Sequence, residues 1–175
     1  MSHFDVLPFS PEREIVVDAG YLGSGRHIIH GLVEVDVTKA RELRRRLSVG
    51  EDKPLSFTAF IVASLGRAVA SNPKVQAYRD WRRRLVVFHD VDVVTMIEPA
   101  KDRVAIPHII RRANDRTVRD ISDEIRAIQA QPEKSEQRGA LVRLAPRVPR
   151  FVRMLFFWVV EKNPHWFKQL QGTVV

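Results

Sequence analysis

From Ser56 to Asn72 the chain reads SFTAFIVASLGRAVASN, a stretch whose only charge is Arg67 and whose apolar side chains fall on every side of a helical wheel. That pattern predicts a helix with no obvious wet face, the buried spine of the domain. Ser56 can accept hydrogen bonds from the free amides of the first turn, and Pro73 excludes the helical conformation from Asn72. Both ends are therefore marked. At about 16 residues and interrupted by Ser and Thr, it is too short to span a bilayer.

Elsewhere the pattern changes several times. Ser10-Pro11-Glu12 opens a helix expected to run to about Ala19 and to be ended by Gly20, Gly23 and Gly25. Leu32 to Val37 alternates in part and reads as a strand. Thr38 then caps a helix, KARELRRRL, with Ala40, Leu43 and Leu47 on one face and arginines on the other. Gly50 to Pro54 is a loop, and VQAYRDW after Pro73 a short irregular link. The β-branched runs Leu85 to Phe88 and Val91 to Ile97, with His89-Asp90 between them, predict consecutive strands or a bulged pair.

Glu98 to Asp102 reads as a turn and Arg103 to Ile110 as a third strand, whose Pro107 must lie at an edge, end or bulge because it has no amide to donate. Thr117-Val118-Arg119-Asp120 has capping-box spacing and opens the clearest amphipathic helix, with Val118, Ile121, Ile125 and Ile128 on one face. Gln131 to Gly139 is polar, a loop or frayed helix. A basic, apolar stretch follows from Ala140, broken at Pro146 and Pro149, with a helix from about Arg150 to Lys162 stopped by Asn163-Pro164. Gly172 to Val175 reads as a strand just starting.

Composition and charge narrow the partners. A chain of 175 residues, 45% hydrophobic and 29% charged, suits one domain. The absence of Cys rules out disulfides and thiolate metal sites and fits a reducing cytoplasm. The N-terminus is not a secretory signal, and the apolar run Met154 to Val160 is far too short to cross a membrane. A net charge of +8 favours anionic partners. The arginine-rich spots at Arg41 to Arg46, Arg82 to Arg84 and Arg143 to Arg153 read first as solvated faces, then as sites for a phosphate-bearing small molecule, and last as a nucleic-acid surface. No nucleic-acid motif accompanies them.

Candidate chemistry is sparse. None of the six histidines, His3, His27, His30, His89, His108 and His165, has an orienting carboxylate at a convincing local spacing. His30 and Glu34 would be roughly 13 Å apart along a strand. His27 and His30 lack the further ligands a metal site needs, and His89-Asp90 reads as a turn pair. No Gly-rich phosphate loop or nucleophile elbow is present. Local chemistry alone says only a soluble, basic α/β domain.

The order of elements says more. GLVEVDVTKARELRRRL, PLSFTAFIVASLGRAVASNPKVQAY, FHDVDVVTMIE and AIPHIIRRANDRTVRDISDEI follow one another collinearly over about Ser10 to Gln131. The series resembles the catalytic domain of the dihydrolipoyl acyltransferases of 2-oxo acid dehydrogenase complexes, related to chloramphenicol acetyltransferase. The resemblance implies a chloramphenicol acetyltransferase-like α/β sandwich, a mixed sheet flanked by helices. It also implies a homotrimer or higher oligomer with the active site between subunits, and acyl transfer between coenzyme A and a second thiol or other acceptor. In that family a His in His-x-x-x-Asp-Gly is the general base and a hydroxyl residue near a Gly-Thr-rich strand stabilises the oxyanion.

Departures from the family shape the expectations. The sequence contains no His-x-x-x-Asp-Gly, and Gly172-Thr173-Val174-Val175 matches the start of the strand before the oxyanion hydroxyl. The usual Gly is missing from Val91 to Ile97, Lys101-Asp102-Arg103 replaces an Asp-Gly-Leu turn, and Pro132 to Lys168 is longer and more basic. The expectation is a single partial catalytic domain over residues 1–175, incomplete at its C-terminus, preceded by no lipoyl or subunit-binding domain. It is expected to be inactive alone and to bind coenzyme A weakly, with no metal. Arg13, Arg82, Arg83 and Arg84 are the candidates for contacting coenzyme A phosphate. The alternatives are a non-catalytic assembly module acting through Ala140 to Phe167, or a basic surface, Arg143, Arg147, Arg150 and Arg153, for nucleic acid or acidic membrane.

Overall fold

The computed structural model describes residues 11–25, 29–50, 53–99, 105–132, 135 and 148–174. Ser10, the turn through Asp102, Arg103-Val104 and the basic stretch with Arg143 and Arg147 lie outside them. Chain order is helix α1 (Pro11–Ser24), α2 (Thr38–Leu47), α3 (Phe57–Ser71), a 3-10 turn (Pro73–Gln76), strands β1 (Tyr78–Arg79), β2 (Leu85–Val86), β3 (Val93–Ile97) and β4 (Ile106–Ile110), then α4 (Val118–Ala130), α5 (Arg150–Lys162) and α6 (Pro164–Gln171).

Two capped helices build the core. Ser56 Oγ accepts from the Ala59 amide at 3.4 Å at the start of α3. Thr117 and Asp120 form a reciprocal capping box at the start of α4. The Ser56 amide donates to Ser122 Oγ at 3.0 Å, so the capped end of α3 is fastened to the second turn of α4. Ala59, Val62, Ala63 and Val69 of α3 then meet Ile121, Ile125 and Ile128 of α4 in one cluster with Val91, Val93, Ile97, Ile106 and Ile110 from the β3–β4 hairpin. Helices on one side and strands on the other make this an α/β core.

The sheet pairing is mixed. β3 and β4 are antiparallel, in register from Val93 opposite Ile110 to Ile97 opposite Ile106. On its other edge Val93 forms a parallel bridge with Val174, where the Val94 amide donates to Val174 O at 2.8 Å. Residues Gly172 to Val174, expected to start a strand, thus reach this edge through an isolated bridge at Val174. Pro107 sits opposite Met96 on β4, whose other edge is unpaired among the described residues, so its missing amide breaks no ladder.

Several expectations need correction. The spine helix is wet on one side: Ile61, Arg67 and Ala68 are exposed while Ala59, Val62, Ala63, Gly66 and Val69 are buried. Gly20 and Gly23 do not end α1, which continues to Ser24, because an isolated glycine costs a helix only about 1 kcal/mol. Leu32 to Val37 forms no ladder, since no described strand pairs with it, and Leu32, Val33 and Val35 stand exposed. Val37, not Thr38, caps α2, with the Asp36 carboxylate accepting from the Thr38 amide at 2.8 Å; Leu43 and Leu47 are exposed. The link after Pro73 contains a 3-10 turn and β1, and β2 pairs with β1 rather than β3. Asn163-Pro164 ends α5 but also opens α6, as Asn163 Oδ1 accepts from the His165 amide at 3.0 Å.

Candidate functional site

A cleft of about 500 Å³ opens where α2, the first turn of α3, the outer half of β3 and α4 converge. Ser48 arranges its wall: its hydroxyl donates to Arg44 O at 2.8 Å and accepts from the Leu55 amide at 3.0 Å, clamping the end of α2 to the approach of α3. Arg44 is thereby held over the start of α3, where Nη1 donates to Leu55 O at 3.4 Å. Its Nε is buried without a hydrogen-bond partner, and so is Oγ1 of Thr95, another lining residue. Arg126 and Gln129 of α4 complete the polar lining, with Glu98 the one carboxylate. Arg126 has only a loose pairing with Asp123, at 3.8 Å.

The chemistry of that donor set is anion recognition. A buried, unsatisfied guanidinium nitrogen stabilises whatever acceptor reaches it, and a negative acceptor most. Ser56, Phe57 and Thr58 add the positive end of α3 at the same mouth.

A second cluster lies beneath α4. His108 of β4 is buried; Nε2 donates to Glu124 Oε1 at 2.7 Å, while Nδ1 and Ser135 Oγ share a hydrogen bond at 3.1 Å. Arg116 pairs with the other Glu124 oxygen. Sequence reading missed this partnership because it looked for carboxylates nearby in the chain, whereas Glu124 reaches His108 from a helix packed over the hairpin. The usable signal was the polar His108 among the apolar positions of β4. Burial pushes the Glu124 carboxyl up, but the hydrogen bonds from His108 and Arg116 and the charge on Arg116 outweigh it and hold the group below its ordinary value of 4.5. A carboxyl held low when folded contributes stability above its unfolded value and loses it as pH falls. Glu124→Gln is therefore expected to unfold at lower temperature than the parent near neutrality, with the gap closing as the pH is taken below about 4. A gap in melting temperature independent of pH would show that Glu124 carries no such linkage.

The arginines singled out from the sequence lie elsewhere. None of Arg13, Arg82, Arg83 and Arg84 lines the cleft. Arg13 is exposed on α1. Arg82 to Arg84 form the β1–β2 turn, where Arg82 stacks over Trp81, Arg83 has φ 62°, and Arg84 Nε donates to the buried Asp80 carboxylate at 2.8 Å. Arg84 thus has a structural partner already. His89-Asp90 is a bend, as expected, and Asp90 pairs with Lys168 at 2.6 Å. Among the described residues no group of three or more His, Asp or Glu is placed to hold a metal ion, and no helix is long and apolar enough to cross a membrane.

Comparison with known proteins extends this geometry. The family model of the 2-oxoacid dehydrogenases acyltransferase (catalytic domain) matches residues 26–138, more than half of the chain. Among solved structures, a truncated catalytic core of the 2-oxoacid dehydrogenase multienzyme complex from Thermoplasma acidophilum superposes with TM-score 0.62 at 20% identity, over 76% of this chain and 63% of that one. A probable dihydrolipoamide acetyltransferase from Listeria monocytogenes gives TM-score 0.61 at 18% identity, over 74% of this chain and 56% of that one. The chain thus spans less than two thirds of the length of either structure. No curated protein matches the sequence. The profile over residues 26–138, on a fold shared with both acyltransferase structures, shows that the chain belongs to the 2-oxoacid dehydrogenase acyltransferase catalytic-domain family.

Proposed function

We propose that the chain binds coenzyme A thioesters as a relative of the acyltransferase component of 2-oxo acid dehydrogenase complexes, with an anionic group of coenzyme A held in the cleft by Arg44 and Arg126. The observation that carries this reading is the lining of the cleft, where Arg44 and Arg126 outnumber the one carboxylate, Glu98, beside the N-terminus of α3. The cleft has room for part of the cofactor only, so the pantetheine arm would extend from it. The 175 residues contain no His-x-x-x-Asp-Gly to deprotonate a thiol, and positioned acid–base help is typically worth a factor of about 10² to 10⁴. Binding without acyl transfer is the expected behaviour.

Titration calorimetry with coenzyme A tests it. Arg44→Met is expected to weaken binding at least about tenfold, the loss of one charge-assisted hydrogen bond, while Arg13→Ala and the triple replacement of Arg82, Arg83 and Arg84 by Ala leave it within twofold. If the triple variant loses binding and Arg44→Met does not, the β1–β2 turn is the phosphate site and the cleft is not. Thiol release from acetyl-coenzyme A in the presence of dihydrolipoamide, above the rate without protein, would overturn the inactive reading.

A second reading, an assembly module of the same fold, draws support from the exposed apolar residues of the 29–37 segment and of α5. A homotrimer measured by light scattering would favour it, and a monomer at all concentrations would count against it.

A further inference from the structure

Ser48 holds the end of α2 to the approach of α3, and it directly follows three arginines, Arg44, Arg45 and Arg46. Arginine thus stands two and three residues before its hydroxyl, with Leu47 and Val49 on either side. No other serine or threonine in the chain has arginine at both of those spacings. Arg45 and Arg46 are exposed and, among the described residues, take part in no ion pair. Leu47 and Val49 are 55% and 82% exposed. A hydroxyl framed by uncommitted cations and exposed apolar side chains is what a serine kinase with an acidic substrate groove selects.

The local structure can yield to such an enzyme. A kinase takes its substrate extended, so the last turn of α2 must peel away. Because α2 buries no residue, peeling uncovers no core. The bonds given up are those from the Ser48 amide to Arg44 O and Arg45 O and from the Val49 amide to Arg46 O, with the two made by the Ser48 hydroxyl. Helix ends open at the low end of the stability range.

We propose that Ser48 is a phosphorylation site for an arginine-directed serine kinase, and that its phosphate closes the cleft to anions. In the transfer Ser48 Oγ bonds to the γ-phosphorus of ATP, the bond from that phosphorus to the bridging oxygen breaks, ADP leaves, and the hydroxyl proton passes to the base of the kinase. The product lacks the O–H that Ser48 donates to Arg44 O, and it sets about two negative charges against the negative end of α2. Arg44 is within reach, because Leu55 is bonded through its amide by Ser48 Oγ and through its carbonyl by Arg44 Nη1. A phosphate there takes the Arg44 guanidinium as its counter-ion and withdraws it from the cleft. This second step rests on the cleft being the coenzyme A site.

The folded full chain is incubated with ATP and the catalytic subunit of cyclic AMP-dependent protein kinase, an arginine-directed enzyme, and the phosphate is located by peptide mass spectrometry. Uptake at Ser48 is expected, with none in Ser48→Ala and uptake at least about tenfold slower when Arg45 and Arg46 are both replaced by Ala. Calorimetry with coenzyme A is expected to show binding at least about tenfold weaker in the phosphorylated protein, and a smaller loss in Ser48→Ala, which opens the clamp without adding charge. Phosphate found only at another residue, or at Ser48 only after unfolding in urea, overturns the proposal. A phosphorylated protein that binds coenzyme A as tightly as the parent overturns it equally. If neither form binds coenzyme A, the assignment of the cleft fails while phosphate at Ser48 upholds the modification site, so the two failures are read apart.

Discussion

Asp92→Ala will cost the protein roughly 3 kcal/mol of unfolding free energy, the low end of what removing one partner of a buried ion pair does. The Asp92 side chain is 2% exposed and accepts from Arg111 Nη1 at 3.1 Å and from the Arg112 amide at 2.9 Å. Its backbone takes the other strand: the Asp92 amide donates to Thr173 Oγ1 at 2.9 Å, and its carbonyl accepts from the Thr173 and Val174 amides. One residue therefore joins the approach to β3, the turn after β4 and the bridging segment Gly172 to Val174. Arg111 is about a third exposed and keeps the Lys168 and Gln169 carbonyls, which is why the low end applies. Asp92→Asn, which retains an acceptor, should cost less. Urea unfolding of the three proteins measures the order, and an Asp92→Ala midpoint equal to the parent would refute it.

Gly66→Ala will destabilise despite improving the helix. On propensity alone the change favours α3 by about 1 kcal/mol. A Cβ at Gly66, however, would lie 2.7 Å from the Ala113 carbonyl carbon, 2.8 Å from its oxygen and 2.8 Å from the Asn114 nitrogen. These are backbone atoms with little room to retreat. The Ala113 amide donates to Val91 O at 2.7 Å, and Asn114 Oδ1 accepts from the Val91 amide at 2.9 Å. Overpacking of this kind costs up to about 3 kcal/mol, so a net loss of about 2 kcal/mol is expected. Gly66→Val should be worse. A stabilised Gly66→Ala protein would mean that α3 and the turn after β4 separate more easily than their hydrogen bonds imply.

Features decided within a few residues were legible from sequence. The Thr117 capping box, the Ser56 cap and the Arg150 to Lys162 helix all appear where local chemistry puts them, because each depends on side chains one turn apart. Collinear motifs carried the family, and the fold followed from it. Features decided by distant partners were not legible. Leu32 to Val37 alternates like a strand, yet alternation supplies no neighbour to pair with. β1 is two residues long and has no period to detect. Asn163-Pro164 reads equally as a stop and a start, and it is both. The cleft depends on Ser48 bridging α2 to Leu55, and the His108–Glu124 pair on a helix crossing a hairpin, so neither leaves a mark at fixed sequence spacing.

The bridge between Val93 and Val174 also has a consequence in time. Some sixty residues separate β4 from Val174, and nascent chains lengthen at about 5–20 residues per second. For several seconds during synthesis the hairpin exists with one flank of β3 uncovered, its amides at Asp92 and Val94 available to any passing strand. The late arrival of Thr173 and Val174 closes that opening, so nascent chains stalled before Gly172 should be the ones that need a chaperone most.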